Sequence, residues 1–197
     1  MFVRLTLSMT LALAACDQGN GLVSGATLDV PDCKKVGEIT HFEPFRMTLN
    51  LLNVAEHQNA ASLRFGSKAG RIHTIDQIGV DLFDVATLKQ GLKAGDVTLT
   101  LHPGLYGGEP VNYTDGALMA FGLFGKCPNP TAALGALGTL TFHRYSAVDA
   151  ARVEGTFLVD IIDRRSGEVL GRDIAGDFDF EVETATPATP YQPEVIH

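Results

Sequence analysis

The residues with the most obvious chemistry fall in two groups: three cysteines, Cys16, Cys33 and Cys127, and the segment at residues 102–116, HPGLYGGEPVNYTDG. That segment mixes an imidazole (His102), two phenols (Tyr106, Tyr113) and two carboxylates (Glu109, Asp115) with four glycines and two prolines. Loops on a rigid scaffold carry much of protein binding, and tyrosine supplies contact area at low entropic cost. The five side chains are therefore candidate ligand-binding residues, set against the plainer reading of a long connection closed by Asp115-Gly116. The run Asp177-Phe178-Asp179-Phe180-Glu181-Val182-Glu183 places four carboxylates on one strand face. Successive ones stand about 7 Å apart, too far for one hard cation to gather them without further oxygen ligands. It reads as a solvated acidic face. His41, His57, His73, His102, His143 and His197 show neither HxH nor HExxH spacing, and the cysteines form no CxxC, so neither metal nor cofactor is expected. Gly66-Ser67-Lys68-Ala69-Gly70 is not a GxSxG elbow, and Gly19-Asn20-Gly21-Leu22-Val23-Ser24 lacks the third glycine of a dinucleotide loop. No catalytic residues are assigned, and the expectation is a protein that is not an enzyme.

Cys16 closes a different kind of pattern. Arg4 gives a short positive start, and residues 5–15 form an apolar run. A stable bilayer-spanning helix needs about 20 residues; this run fits the apolar region of an export signal. Its end, Leu13-Ala14-Ala15-Cys16, resembles the lipobox of bacterial lipoproteins. The resemblance implies that Cys16 receives a diacylglycerol thioether and that residues 1–15 are cut away. It also implies that acyl chains hold the protein on a membrane of the bacterial cell envelope. In enterobacterial lipoproteins an aspartate directly after the cysteine favours inner-membrane retention. Asp17 fits that pattern, on the periplasmic face, and the outer membrane stays open. Export to an oxidising compartment makes a Cys33–Cys127 disulfide the expected fate of the remaining thiols. Such a bridge would stabilise by at most roughly 4–5 kcal/mol. Free buried thiols and an intermolecular bridge are the alternatives.

The chain has 197 residues, 45% hydrophobic and 19% charged, which describes one globular domain. Its net charge is −8, with the acids spread along the chain. Such a surface repels nucleic acid and anionic head groups, so membrane attachment falls to the acyl chains, two or more of which anchor stably.

The elements that must position these residues are strands. Phe45-Arg46-Met47-Thr48-Leu49-Asn50-Leu51 alternates with apolar residues at odd numbers, and Val97-Thr98-Leu99-Thr100-Leu101-His102 repeats the pattern after a Lys93-Ala94-Gly95-Asp96 turn. Residues 117–124 are apolar on both faces and read as a central strand, with a short buried helix as the alternative. Residues 153–161 and 174–182 share the pattern apolar-x-Gly-x-Phe-x-apolar-x-apolar, separated by an Arg164-Arg165-Ser166-Gly167 turn. They read as neighbouring strands of an antiparallel meander. The mature part thereby resembles uncharacterised myxobacterial-type lipoproteins that end in repeated Gly-x-Phe strands, a resemblance that implies no activity. One short helix is expected over residues 85–90, stopped by Gly91.

The expected organisation is a signal peptide at 1–15, a lipidated tether at 16–29, a β domain at 30–183 and a Pro/Thr-rich extended tail at 184–197. The fold class is all-β, an antiparallel sandwich or barrel. The function expected is a lipid-anchored, non-catalytic binding or structural module, whose partner is the membrane and an envelope protein. Two alternatives stand beside it. One is a lipocalin-like carrier of a small apolar ligand, with a cavity lined by residues such as Phe121, Phe157 and Phe178. The other is a hydrolase with a dispersed site.

Overall fold

The computed structural model describes residues 19–30, 40–67, 75–103, 116–127 and 133–182. Among these, ten strands form one mixed sheet nearly closed into a barrel, and two more form a small ribbon. The strands are β1 (Gly19–Gly25), β2 (Leu28–Asp29), β3 (His41–Phe42), β4 (Phe45–Leu49), β5 (Leu51–His57), β6 (Ala60–Gly66), β7 (Asp76–Leu82), β8 (Val97–His102), β9 (Ala117–Leu123), β10 (Leu134–Arg144), β11 (Arg152–Asp163) and β12 (Val169–Glu181). One helix, α1 (Val85–Gly91), sits between β7 and β8. Across the sheet the order is β4-β1-β12-β11-β10-β8-β9-β7-β6-β5. The fold is all-β with one short helix, as expected; the sheet is mixed rather than purely antiparallel, because β8 and β9 run parallel, and it is nearly closed into a barrel.

The ends of that order, β4 and β5, are joined in the chain by Asn50 alone. The covalent chain itself therefore spans the seam. β4 pairs with β1 and β5 pairs with β6. The change of partner coincides with a change of side-chain phase: Phe45, Met47 and Leu49 point into the core, and then Leu52 and Val54 do. One extra residue in a strand bends it and re-aims its side chains. Leu51, which the strict alternation assigns to the core, is only half-buried because it falls inside this shift.

Rows of facing residues around the wall set each Gly-x-Phe phenylalanine beside a glycine. Phe142 of β10 faces Gly155 of β11, which faces Phe178 of β12, which faces Gly21 of β1, which faces Leu49 of β4. The next row runs Leu140, Phe157, Gly176, Val23, Met47. The two Gly-x-Phe repeats thus lie antiparallel and in reciprocal register, each phenylalanine opposite the other strand's glycine. A Cβ at Gly176 would collide with the Phe157 ring, and one at Gly155 would stand 2.6 Å from Cζ of Phe178. The rings occupy the space the glycines leave, an alternation that fills small barrel interiors.

The rings then meet across the barrel. Phe65 of β6 packs on Phe178 at 4.9 Å and on Phe180 at 5.8 Å between centroids, although β6 and β12 are not neighbours in the sheet. Phe142 meets Phe178 at 6.0 Å and Phe121 meets Phe157 at 6.4 Å, both edge-to-face. Burying a large apolar side chain stabilises by roughly 1.5–3 kcal/mol, and edge-to-face pairs add about 1 kcal/mol.

The proposed tether at 16–29 needs correction over the described residues. Gly19–Gly25 is a wall strand paired on both sides, with Gly21 and Val23 buried, and Leu28–Asp29 pairs with His41–Phe42. Glycine-rich polar sequence reads as linker, but here the glycines let β1 lie close against the backbone of β12: a Cβ at Gly21 would stand 2.6 Å from Asp177 O, and one at Gly19 would collide with Asp179 O. The domain therefore begins at Gly19 rather than at residue 30. Residues 1–18 and the tail from 183 lie outside the described residues.

Elsewhere the expected pieces are in place. Residues 117–123 form a strand buried on nearly both faces. α1 starts at the N-cap Asp84, whose carboxylate accepts from Thr87 N at 3.0 Å. Asn59, in the β5–β6 turn, donates to Asp84 at 3.0 Å and accepts from Ala86 N at 2.7 Å, which docks the helix. The Thr87 amide, then its hydroxyl and Asn59, hold the Asp84 pKa below the usual carboxylate value. Gly167, at φ 75°, completes the hairpin between the two Gly-x-Phe strands.

Gly176→Ala is expected to lower stability by about 1–3 kcal/mol, the range for forcing an extra carbon into a packed core. Combined with Phe157→Leu it should cost less than the sum of the two single changes, because both act on one contact. Denaturant unfolding of the four proteins checks this; strict additivity would show that the ring and the glycine are not coupled.

Candidate functional site

The 102–116 segment leaves and re-enters the wall at one point. β8 and β9 are parallel and pair over only two positions, Leu101 with Ala117 and His102 with Leu118. Both also pair with β10, β9 against its start and β8 against its second half. The two strands therefore lie almost end to end along one edge of β10, and the connection between them is an excursion whose ends are adjacent. Connections whose two ends are held side by side are often functional.

The base of the excursion is tightly built. Gly116 has φ 76°, a conformation that favours glycine. A Cβ there would press on Thr100 O and stand 3.1 Å from Nε2 of His102. The imidazole therefore lies against the glycine that ends the excursion. On the other side, a Cβ at Gly135 would stand 2.7 Å from both Pro103 O and Cγ of Arg164. Arg164, in the hairpin after β11, is tied down by its amide to Ala133 O at 2.8 Å. The base thus gathers an imidazole, a guanidinium stem and close-packed backbone. His102 is half-buried. Tyr106, Glu109, Tyr113 and Asp115 lie outside the described residues, so of the five candidates the structure places His102.

The other polar groups serve structural ends. On β12, Asp179 pairs with Arg152 at 2.6 Å, and Asp177 and Glu181 are exposed. Among the described residues, no group of three or more histidine, cysteine, aspartate or glutamate side chains is arranged to hold a metal. His143 Nδ1 lies 2.9 Å from Asp96, across the turn before β8. His41 Nδ1 lies 2.6 Å from Asp29 and Nε2 lies 3.3 Å from Glu43. The hydrogen bond to Asp29, then that to Glu43, raises its pKa above the ordinary value of 6.5. An open groove of about 420 Å³ lies at the hairpin end of the barrel, between Ala26, Thr27 and Asp29 on one side and residues 169–173 on the other. Cys127 is fully buried; Cys16 and Cys33 lie outside the described residues.

Two polar clusters were not anticipated. Asp76 is buried at the start of β7 and accepts from Gly125 N at 2.9 Å and Lys126 N at 3.1 Å, with Lys126 Nζ on its other oxygen. It fixes the turn that leads from β9 to Cys127. The available signal was a lone carboxylate between Ile75 and Ile78 in an apolar stretch. Tyr145 packs edge-to-face on Phe142 at 5.7 Å, with Lys89 Nζ 5.8 Å from its ring centroid and bound to Glu56 at 2.7 Å. Burial, then the Glu56 charge, pushes its pKa above the ordinary tyrosine value. These contacts join α1 to β5 and to the end of β10.

Compared with known proteins, the chain matches no family model, no curated protein and no solved structure.

Asp76→Ala is expected to cost about 3 kcal/mol, because it strands a cation and two amides. Asp76→Asn, which keeps an acceptor for the amides, should cost less; equal losses would show that the backbone bonds contribute nothing. For His41 the sign follows from its raised pKa. Its stabilising contribution is complete below the unfolded value near 6.5 and is lost as pH rises through the higher folded value. His41→Gln should therefore be less stable than the parent near about pH 5.5 and equal to it near about pH 8.5. Melting curves at the two pH values check this, and a loss that grows with pH would contradict the ion-pair account.

Proposed function

We infer that the chain is a lipid-anchored, non-catalytic module of a bacterial cell envelope, which presents its outer surface, and above all the 102–116 excursion, to an envelope partner. The observation that carries the presenting role is the combination of an interior packed with phenylalanine rings and a wall excursion with a closely built base. A rigid scaffold that holds both ends of a tyrosine-bearing loop at one point suits binding more than transport. The lipocalin-like alternative needs space beside Phe121, Phe157 and Phe178, and these rings instead touch one another or other phenylalanines. In the hydrolase alternative, His102 at the mouth of the excursion would be the base.

The anchoring part of the reading rests on Leu13-Ala14-Ala15-Cys16. Cys16→Ser should abolish palmitate incorporation and leave the protein soluble or uncleaved, whereas unchanged labelling would refute the assignment. For the presenting part, Tyr106→Ala with Tyr113→Ala should leave melting within about 0.5 kcal/mol of the parent, as surface changes usually do, and should weaken partner capture by crosslinking in the envelope. Intact folding with undiminished capture would make the excursion a plain connection.

The Cys33–Cys127 disulfide belongs to the same reading. Its support is that Cys127 is fully buried and that export would place both thiols in an oxidising compartment. Non-reducing peptide mapping should recover the two cysteines linked; two freely alkylated thiols in the folded protein would reject the bridge.

A further inference from the structure

We propose that the end of the barrel where β1 begins lies against the lipid bilayer, with Val148 at the contact, so that the opposite end with its groove and hairpin points away from the membrane. The proposal rests on the lipid-anchored reading and adds an orientation to it.

The chain path supplies the first argument. Only Asp17 and Gln18 separate Cys16 from Gly19, the first residue of a paired wall strand. Three Cα steps reach at most about 11 Å. Acyl chains on Cys16 therefore leave the barrel no free tether, and the rim at Gly19 is held at the depth of the head groups.

The registers identify what else lies on that rim. Gly19 faces Phe180, which faces Val153, and Arg152 faces Glu181 in the next row. Beyond that row, Val182 exchanges hydrogen bonds with Ala150 and Ala151, and Ala151 N donates to Val148 O at 3.1 Å. The turn between β10 and β11 therefore projects from the same end as the chain entry. At its tip Val148 is 69% exposed, the most exposed of the large hydrophobic side chains described.

The rim carries both signs of charge, with Glu181 and Asp149, next to Val148, exposed on it. Arg152 pairs with Asp179 at 2.6 Å and Arg144 with Glu154 at 3.5 Å, so four of its charges cancel locally. The opposite end is set apart by the length of β11, about 36 Å along the strand. It carries Arg164, Arg165 and Ser166 of the hairpin and the groove beside residues 169–173. The 102–116 excursion starts at the inner end of β8, whose first residue, Val97, faces Phe142 near the membrane rim. Its described ends, His102 and Gly116, thus lie part-way up the wall.

The sequence contains no tryptophan, so a single introduced indole is a clean reporter. Val148→Trp and Ser166→Trp are made in the full chain, produced in bacteria and reconstituted into phosphatidylethanolamine–phosphatidylglycerol vesicles containing brominated lipid. Intact mass of the same preparations reads the acyl chains on Cys16. The expected result is acylated protein in which the Val148→Trp emission is largely quenched and the Ser166→Trp emission is not. Acylated protein in which both reporters stay bright, or in which Ser166→Trp is the quenched one, overturns the orientation alone. Protein without acyl chains on Cys16 overturns the anchored reading, and the orientation with it.

Discussion

The barrel depends on one packing constraint: on β11 and β12 each inward phenylalanine of the Gly-x-Phe repeats must face the other strand's glycine. Phe178 sits between Gly155 and Gly21, and Phe157 lies over Gly176. A slip of one residue would turn every ring to solvent. A slip of two would set Phe157 against Phe178 in one direction and leave Gly155 facing Gly176 in the other. The reciprocal register is therefore fixed by volume, and the rings that it aims inward meet Phe65 and Phe142 on other strands. Packed interiors of this kind respond to single carbons.

A second device works with the first. The sheet closes because strands change partners without leaving the wall. At Asn50 the chain passes from pairing β1 to pairing β6, and along β10 the partner changes from β9 to β8. At the latter change stands Gly138, with φ 147°, where a Cβ would press on Leu158 O. That same change of partner creates the 102–116 excursion, since β8 must end where β9 begins. The candidate site is thus a product of barrel closure, and its base is as constrained as the wall.

Much of this was readable in the sequence. The paired Gly-x-Phe runs, the helix from Val85 and the turn at residues 93–96 are local patterns of period and breaker residues, and they form where those patterns place them, although the helix runs through Gly91 to a cap at Leu92. What was not readable depends on distant neighbours. Gly19-Asn20-Gly21-Leu22-Val23-Ser24-Gly25 has the composition of a linker; its role as a strand follows only from its pairing with the distant β12 and β4 on its two sides. Barrel and sandwich differ by the phase shift at Asn50 and Leu51, which looks in sequence like an unbroken alternation. Asp76 resembles any solvated aspartate until Gly125 and Lys126, about 50 residues later, come round to it. Of the candidate binding residues, His102 was placed at the mouth of the excursion because a strand pattern ended there.

Native-state hydrogen exchange tests the volume-fixed register most directly. If the β11–β12 pair is the constraint on which the barrel rests, amides at residues 153–159 and 174–180 exchange slowest of all, and only through global unfolding. The account is contradicted if these amides open by local fluctuation while those of β6, β7 and β9 stay protected.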